Sequence, residues 1–260
     1  MSAWSVERAA TALLAAEDSR ADREPLTAEW AGLDLATGYA VQDETLRRRL
    51  ARGERLVGVK LGLTSRAKQQ RMNVTSPLTA WLTDAMALPT GATVPQDRLI
   101  HPRAEPEIVF SMRDRLAGPG VTAAAALAAV GAVHAGVEVI DSRYRDFRFT
   151  LPDVVADNAS SGFFVTGPVA IPPAALDLAL EACLLELDGQ VVDSATGAAV
   201  QGHPAEALAL AANDLGRRGL AIEPGWVVLT GGMTDAVAVP RGAALAAHFT
   251  HLGSIFLPGG

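Results

Sequence analysis

Cysteine is nearly absent from this chain of 260 residues, where Cys183 stands alone. A single thiol excludes an internal disulfide and a thiolate-held metal cluster. Cys183 lies among Leu180, Ala182, Leu184 and Leu185, the setting of a small buried hydrophobe rather than a nucleophile. Positive charge is also in deficit: 22 Lys and Arg face 29 Asp and Glu, the net charge is −7, and no basic cluster interrupts that balance. Nucleic acid and anionic membrane surfaces are thereby excluded as partners, because both are bound through gathered Lys and Arg. Long apolar runs are missing too. Glu7, Arg8, Glu17 and Asp18 break up the N-terminal alanines, so neither a secretory signal nor a membrane span is expected. The chain reads as cytoplasmic.

What is present is a hydrophobic content of 49%, enough to build a sizeable core. Apolar residues recur at helical spacing from Ser5 to about Ser19 and from Leu35 to Leu50, with Pro25 and Gly32 between them. This predicts a small helical N-terminal part over residues 1–54. A β-rich part then runs over 55–260, with strands expected at Leu56–Leu63, Ile108–Met112, Val137–Ile140, Phe163–Thr166, Cys183–Leu187, Val227–Thr230, Ala236–Val239 and Ala246–Phe256. Asp188-Gly189 signals a hairpin turn, since both residues tolerate positive φ. Helices are expected over Thr122–Val133 and Ala205–Arg218. The fold class is α+β, built on a mixed, largely antiparallel sheet or barrel.

The segment His101-Pro102-Arg103-Ala104-Glu105-Pro106-Glu107-Ile108 is the most informative. In an extended chain Glu105 and Glu107 point to one face, placing two carboxylates side by side. Pro106 lacks an N–H, which suggests an edge or irregular strand. Such a pair is either a solvated polar face or a site neutralised by a cation. Glu138 adds a third carboxylate within the apolar run Val137–Ile140, where a buried charge needs a partner: a cation, or Arg143 or Arg145 in an ion pair. Three oxygen donors without paired cysteines or H-x-x-H spacing favour Mg2+ or Mn2+ over zinc.

Lys60 sits in the apolar, glycine-flanked strand Val57-Gly58-Val59-Lys60-Leu61-Gly62, where it is either desolvated and reactive or snorkels from an edge. The polar knot Asp157-Asn158-Ala159-Ser160-Ser161 could bind a substrate carboxylate or form a capped turn. His203, before Pro204 at a helix start, could be structural or an acid–base group. Gly231-Gly232 follows a strand but lacks the G-x-G-x-x-G spacing of a dinucleotide site.

In order and spacing, these segments resemble the 2-oxopent-4-enoate hydratase / 4-oxalocrotonate decarboxylase family of the fumarylacetoacetate hydrolase superfamily. The pieces are Gly58–Ser65, Pro102–Ile108, Glu138–Arg143, Ala156–Ser160, Gly202–Pro204, Leu229–Gly232 and Leu252–Ser254. The resemblance implies a mixed β roll of the superfamily's C-terminal type. It also implies a metal held by Glu105, Glu107 and Glu138, a catalytic Lys60, and substrate contacts from Ser160, Leu78 and Arg143. Family hydratases place an aspartate after the proline of the loop Val74-Thr75-Ser76-Pro77, where this chain has Leu78. That difference, with Ile140-Asp141-Ser142-Arg143-Tyr144, leans toward decarboxylase. Pro106, Thr75 and Asn73 depart from the family's usual alanine, aspartate and glycine.

The implied reaction is metal-dependent loss of the distal carboxylate from 2-oxohex-3-enedioate, a small 2-oxo dicarboxylic acid, giving 2-hydroxypenta-2,4-dienoate and carbon dioxide. Alternatives are hydration of that dienoate, acylpyruvate hydrolysis, or a non-catalytic partner subunit. A homo-oligomer is expected, alone or associated with a homologous hydratase.

Overall fold

The computed structural model describes residues 4–65, 69–70 and 77–259. The chain opens with three helices: α1 (Val6–Ser19), α2 (Leu26–Glu29) and α3 (Leu35–Ala51). Ser5 and Asp34 cap α1 and α3, accepting from the backbone N–H of Arg8 and Thr37. Their apolar faces do not close on themselves. Ala9, Leu13, Leu26 and Val41 share a core with Tyr144 and Ala156 from much later in the chain.

The larger sheet has the order β2-β1-β8-β3-β4-β5, with β9 also paired to β3. Its strands are β1 (Leu56–Gly62), β2 (Leu78–Thr83), β3 (Arg103–Met112), β4 (Val130–Ile140), β5 (Ser161–Thr166), β8 (Val227–Leu229) and β9 (Val237–Ala238). Only β1 and β8 run parallel; the other pairs are antiparallel, so the sheet is mixed. A second antiparallel sheet, in the order β11-β10-β6-β7, comprises β6 (Ala182–Leu187), β7 (Gln190–Thr196), β10 (Leu245–Phe249) and β11 (Gly253–Leu257). One face of each sheet meets in the main core, where Ile108, Phe110, Val137 and Val139 pack with Leu185, Ala247 and Ile255. Later helices are α4 (Ala123–Ala128), α5 (Leu151–Ala156) and α6 (Pro204–Arg217). No helix among the described residues is long and apolar enough to cross a membrane.

The hairpin forms at Asp188-Gly189, with φ of 51° and 75°. Three expectations are corrected. The helix foreseen over Thr122–Val133 ends at Ala128, because Val130 and Val133 pair with Met112 and Phe110 across the β3–β4 ladder. The run Ala246–Phe256 is two strands of one hairpin, paired from Leu245↔Leu257 to Phe249↔Gly253. Pro106 is not on an edge: β3 is flanked by β4 on one side and by β8 and β9 on the other. In an antiparallel ladder a residue's N–H and C=O point the same way. The Pro106 carbonyl accepts from Met233 N at 2.9 Å, between the β8 and β9 pairings, so no bond to β4 is lost.

Candidate active site

Alternation along β3 sends Ala104, Ile108 and Phe110 into the main core and leaves Glu105 and Glu107 on the opposite face. Glu105 lies directly across from Glu138, and Glu107 across from Gly136. Oxygens of the three carboxylates lie within 4.8 Å of one another. They are 8%, 0% and 2% exposed for Glu105, Glu107 and Glu138. Glycines permit this crowding. A side chain at Gly136 would meet Val109 Cγ2 at 2.3 Å, and one at Gly232 would meet Glu105 Cδ at 2.6 Å. The neighbouring Gly231, at φ 107°, donates its N–H to Glu107 Oε2 at 2.7 Å. The Gly231-Gly232 pair thus serves the carboxylates.

Burial drives the Glu107 carboxyl well above its usual range, and the charges of Glu138 and Glu105 push it further. Burial also raises Glu138, against the opposing pull of Lys60. Glu107 Oε1 is buried with no hydrogen-bond partner among the described residues. A group of converging oxygens that must otherwise take up a proton, with one oxygen unengaged, fits a hard divalent cation. Among the described residues no histidine or cysteine joins the group.

Lys60 approaches from β1, where it pairs with Ala80 on β2 and Leu229 on β8. It does not snorkel. The side chain is 3% exposed, and Nζ lies 2.8 Å from Glu138 Oε1 and 2.5 Å from the Ala159 carbonyl. That carbonyl belongs to a turn in which Asn158, Ala159 and Ser160 all adopt left-handed φ, at 48°, 50° and 58°. Three consecutive non-glycine residues in this region store strain, which the surroundings must hold. The Asn158 side chain exchanges two hydrogen bonds of 2.9 Å with the backbone of Trp81. Arg143 donates to the carbonyls of Asp157 at 2.7 Å and Ser161 at 2.8 Å, one at each end of the turn, and pairs closely with the Asp157 carboxylate. Ser160 Oγ is buried and unpartnered among the described residues.

These groups open onto a cavity of about 770 Å³, lined by Lys60, Glu105, Glu138, Ser160 and Leu78 among others. Arg143 is the correction. Expected to touch substrate, it is 4% exposed, absent from the cavity wall, and spends its guanidinium on the turn. Arg103, Phe147, Arg148 and Phe149 line the cavity instead and were missed as site residues. Arg103 had a readable signal, since it shares the face of Glu105 and Glu107 by alternation. His203 caps α6, its Nδ1 accepting from Ala205 N at 3.0 Å. Cys183 is buried, which pushes its thiol up to about 11. Asn73 and Thr75 lie outside the described residues.

A mixed β roll that gathers three carboxylates and a lysine on the sheet face away from its main core, beside a cavity, defines an enzyme with a candidate cation site built of carboxylates. No family model matches the chain. The chain is 43% identical over 234 residues to 4-oxalocrotonate decarboxylase from Pseudomonas sp. strain CF600, covering 90% of this chain and 89% of that protein. It is also 43% identical over 220 residues to 2-hydroxyhexa-2,4-dienoate hydratase from Comamonas testosteroni, covering 84% and 83%. The solved structure of 4-oxalocrotonate decarboxylase from Pseudomonas putida G7, complexed with magnesium and adipate, superposes over 100% of both chains with a TM-score of 0.94 at 37% identity. The chain belongs to the 4-oxalocrotonate decarboxylase / 2-oxopent-4-enoate hydratase family, and its roll is the fumarylacetoacetate hydrolase fold foreseen from the sequence.

Proposed function

We propose that this chain is a divalent-metal-dependent lyase that decarboxylates 2-oxohex-3-enedioate (4-oxalocrotonate) to 2-hydroxypenta-2,4-dienoate. The observation that carries the reading is the convergence of Glu105, Glu107, Glu138 and Lys60 at a cavity whose wall at Leu78 is apolar. Supporting it, relatives covering most of the chain are 4-oxalocrotonate decarboxylases, and the similar solved structure holds magnesium with a six-carbon dicarboxylate.

In this reading Glu105, Glu107 and Glu138 would hold Mg2+ or Mn2+. The bound cation supplies electrophilic stabilisation of the negative charge that develops on the 2-oxo oxygen. The C5–C6 bond breaks, its electron pair passes through the conjugated chain to that oxygen, and carbon dioxide leaves from C6. A proton then completes the dienol. Lys60 holds protons at Nζ beside Glu138, within the site rather than at its rim. Ser160 offers an unengaged hydroxyl to the substrate's C1 carboxylate. Leu78, Phe149 and Val154 give part of the cavity wall an apolar lining along the substrate's carbon chain.

The second reading, hydration of the dienoate, rests on the family's hydratases. It would need one of the polar groups on the cavity wall to direct water, since Leu78 stands where the family's hydratases carry an aspartate. The deciding assay follows carbon dioxide release from 2-oxohex-3-enedioate with and without Mg2+, alongside incubation with 2-hydroxypenta-2,4-dienoate. Metal-dependent release without formation of 4-hydroxy-2-oxopentanoate is expected. Rapid hydration without release would establish a hydratase, release of two acids from an acylpyruvate a hydrolase, and no turnover a non-catalytic subunit.

The protein is further proposed to work in the cytoplasm as a homo-oligomer, alone or with a hydratase of the same family. The support is chemical: 2-hydroxypenta-2,4-dienoate, the product here, is the compound acted on by a named hydratase relative. Residues 1–54 would form a helical buttress to a catalytic part over 55–260. Gln42 on α3 donates to the carbonyls of Thr79 on β2 and Val155 on α5, tying the helical part to the sheet.

A further inference from the structure

A six-carbon 2-oxo diacid presents two carboxylates, and the carboxylate-built centre accounts for one. The other must lie some distance away: five carbon–carbon bonds of ~1.5 Å carry it about 6 Å along an extended chain. Strand geometry supplies a matching ruler. Arg103 and Glu105 lie on one face of β3, two residues apart, which spans about 7 Å. Arg103 also faces Ile140 across the ladder, and both line the cavity.

The Arg103 side chain is half-buried, and its guanidinium lies over the Phe147 ring at 4.2 Å. Phe147 is itself packed against the His101 ring at 4.8 Å. Stacking fixes the plane of the guanidinium and leaves its N–H edge for an anion. Among the described residues no acidic side chain pairs with Arg103. Arg148 lines the same cavity but is exposed, so solvent screens its charge.

We propose that Arg103 is the specificity-determining residue for the substrate's distal carboxylate, selecting diacids over monoacids. This rests on the 2-oxo diacid reading above. Loss of carbon dioxide removes the charge that Arg103 holds, so the contact stabilises the bound substrate more than the transition state. Losing Arg103 therefore raises KM and does not lower kcat.

The test is calorimetry on the Mg2+-loaded protein with 2-oxoadipate and 2-oxohexanoate, which differ only in the distal carboxylate and lack the conjugation needed to react. Wild type should favour 2-oxoadipate by about ten- to a hundredfold, the range of a charge-assisted hydrogen-bonded pair. Arg103→Gln should lower that preference to threefold or less while 2-oxohexanoate binds within about twofold of wild type. Arg103→Lys, which keeps the charge without the fork, should fall between them and serves if the glutamine variant does not fold. In turnover, the variants should raise KM without lowering kcat. An unchanged preference in either variant, equal loss of both ligands, or loss of the preference through Arg148→Gln instead would overturn the proposal. Selective binding of 2-oxoadipate by a chain that releases no carbon dioxide would sink the decarboxylase reading and leave this one standing.

Discussion

Glu105 and Glu138 face one another as a directly opposed pair across the β3–β4 ladder. Like charges in that position weaken a sheet, and Glu107 on the same face adds a third. The arrangement is therefore costly to the metal-free fold, where Lys60 offsets Glu138 and burial favours a proton on Glu107, and a cation among the oxygens would relieve it further. Glu107→Gln should separate the two states. It replaces a buried carboxyl whose ionisation is strongly opposed with a neutral group of the same shape. The metal-free protein should melt at the same temperature as wild type or higher, the rise on adding Mg2+ or Mn2+ should vanish, and turnover should drop more than a hundredfold. A retained metal-induced rise in Tm would remove Glu107 from the ligand set.

Gly232 should be as sensitive as a ligand although it offers none. A methyl group there would come within 2.8 Å of both Glu105 carboxylate oxygens. The expected effect of Gly232→Ala is a metal affinity weakened by at least tenfold, with the fold preserved because the flexible end of Glu105 can move aside. Titration with Mn2+ followed by electron paramagnetic resonance reads this directly; an unaltered affinity would mean that Glu105 is not held in its binding position by this loop.

Much of the site was legible in the sequence because it lies on regular strands. Two-residue spacing put Glu105 and Glu107 on one face, and an acid inside the apolar run around Glu138 implied a partner. The pairing of that partner was not legible, since Lys60 reaches Glu138 through β8 and β3, a chain of non-local ladders. The same non-locality explains the misplaced boundary after Ala128. Alanine periodicity favours helix, but Val130 and Val133 gain more by pairing with β3. The substrate contact expected of Arg143 came from the family resemblance, and nothing local in the sequence shows that Arg143 clamps a turn beginning at Asp157. Only the positive φ of Asn158, Ala159 and Ser160 reveals that the turn needs clamping.

Lys60→Met should move two quantities in opposite directions. Removing the cation beside Glu138 leaves the carboxylates more dependent on the metal, so Mn2+ should bind as tightly as in wild type or several-fold more tightly. Proton handling in the site is lost at the same time, and kcat should fall about 10²- to 10⁴-fold. Parallel loss of metal affinity and turnover would instead make Lys60 a support for the ligand set alone.

The acid limb of activity should trace to Asp157. Burial raises its carboxyl to about 6 despite the opposing pull of Arg143, so the ion pair is charged at neutral pH and is lost as pH falls through about 6. The sign for stability is the reverse of an ordinary salt bridge. The folded value lies above the ordinary aspartate value of 3.8, so this group favours the fold most at low pH, and its contribution declines as pH rises from about 4 to 6. Activity and stability should therefore part company in that window. Protonation frees Arg143 from its charge partner, the strained turn loosens, and the Ala159 carbonyl no longer fixes Lys60. Asp157→Asn keeps a hydrogen-bonding side chain without the titration. It should give a low kcat that is flat from pH 5 to 8, set near the level wild type reaches at the bottom of its limb. A limb near pH 6 that survives in Asp157→Asn would assign it to another group and leave Arg143 as a purely structural clamp.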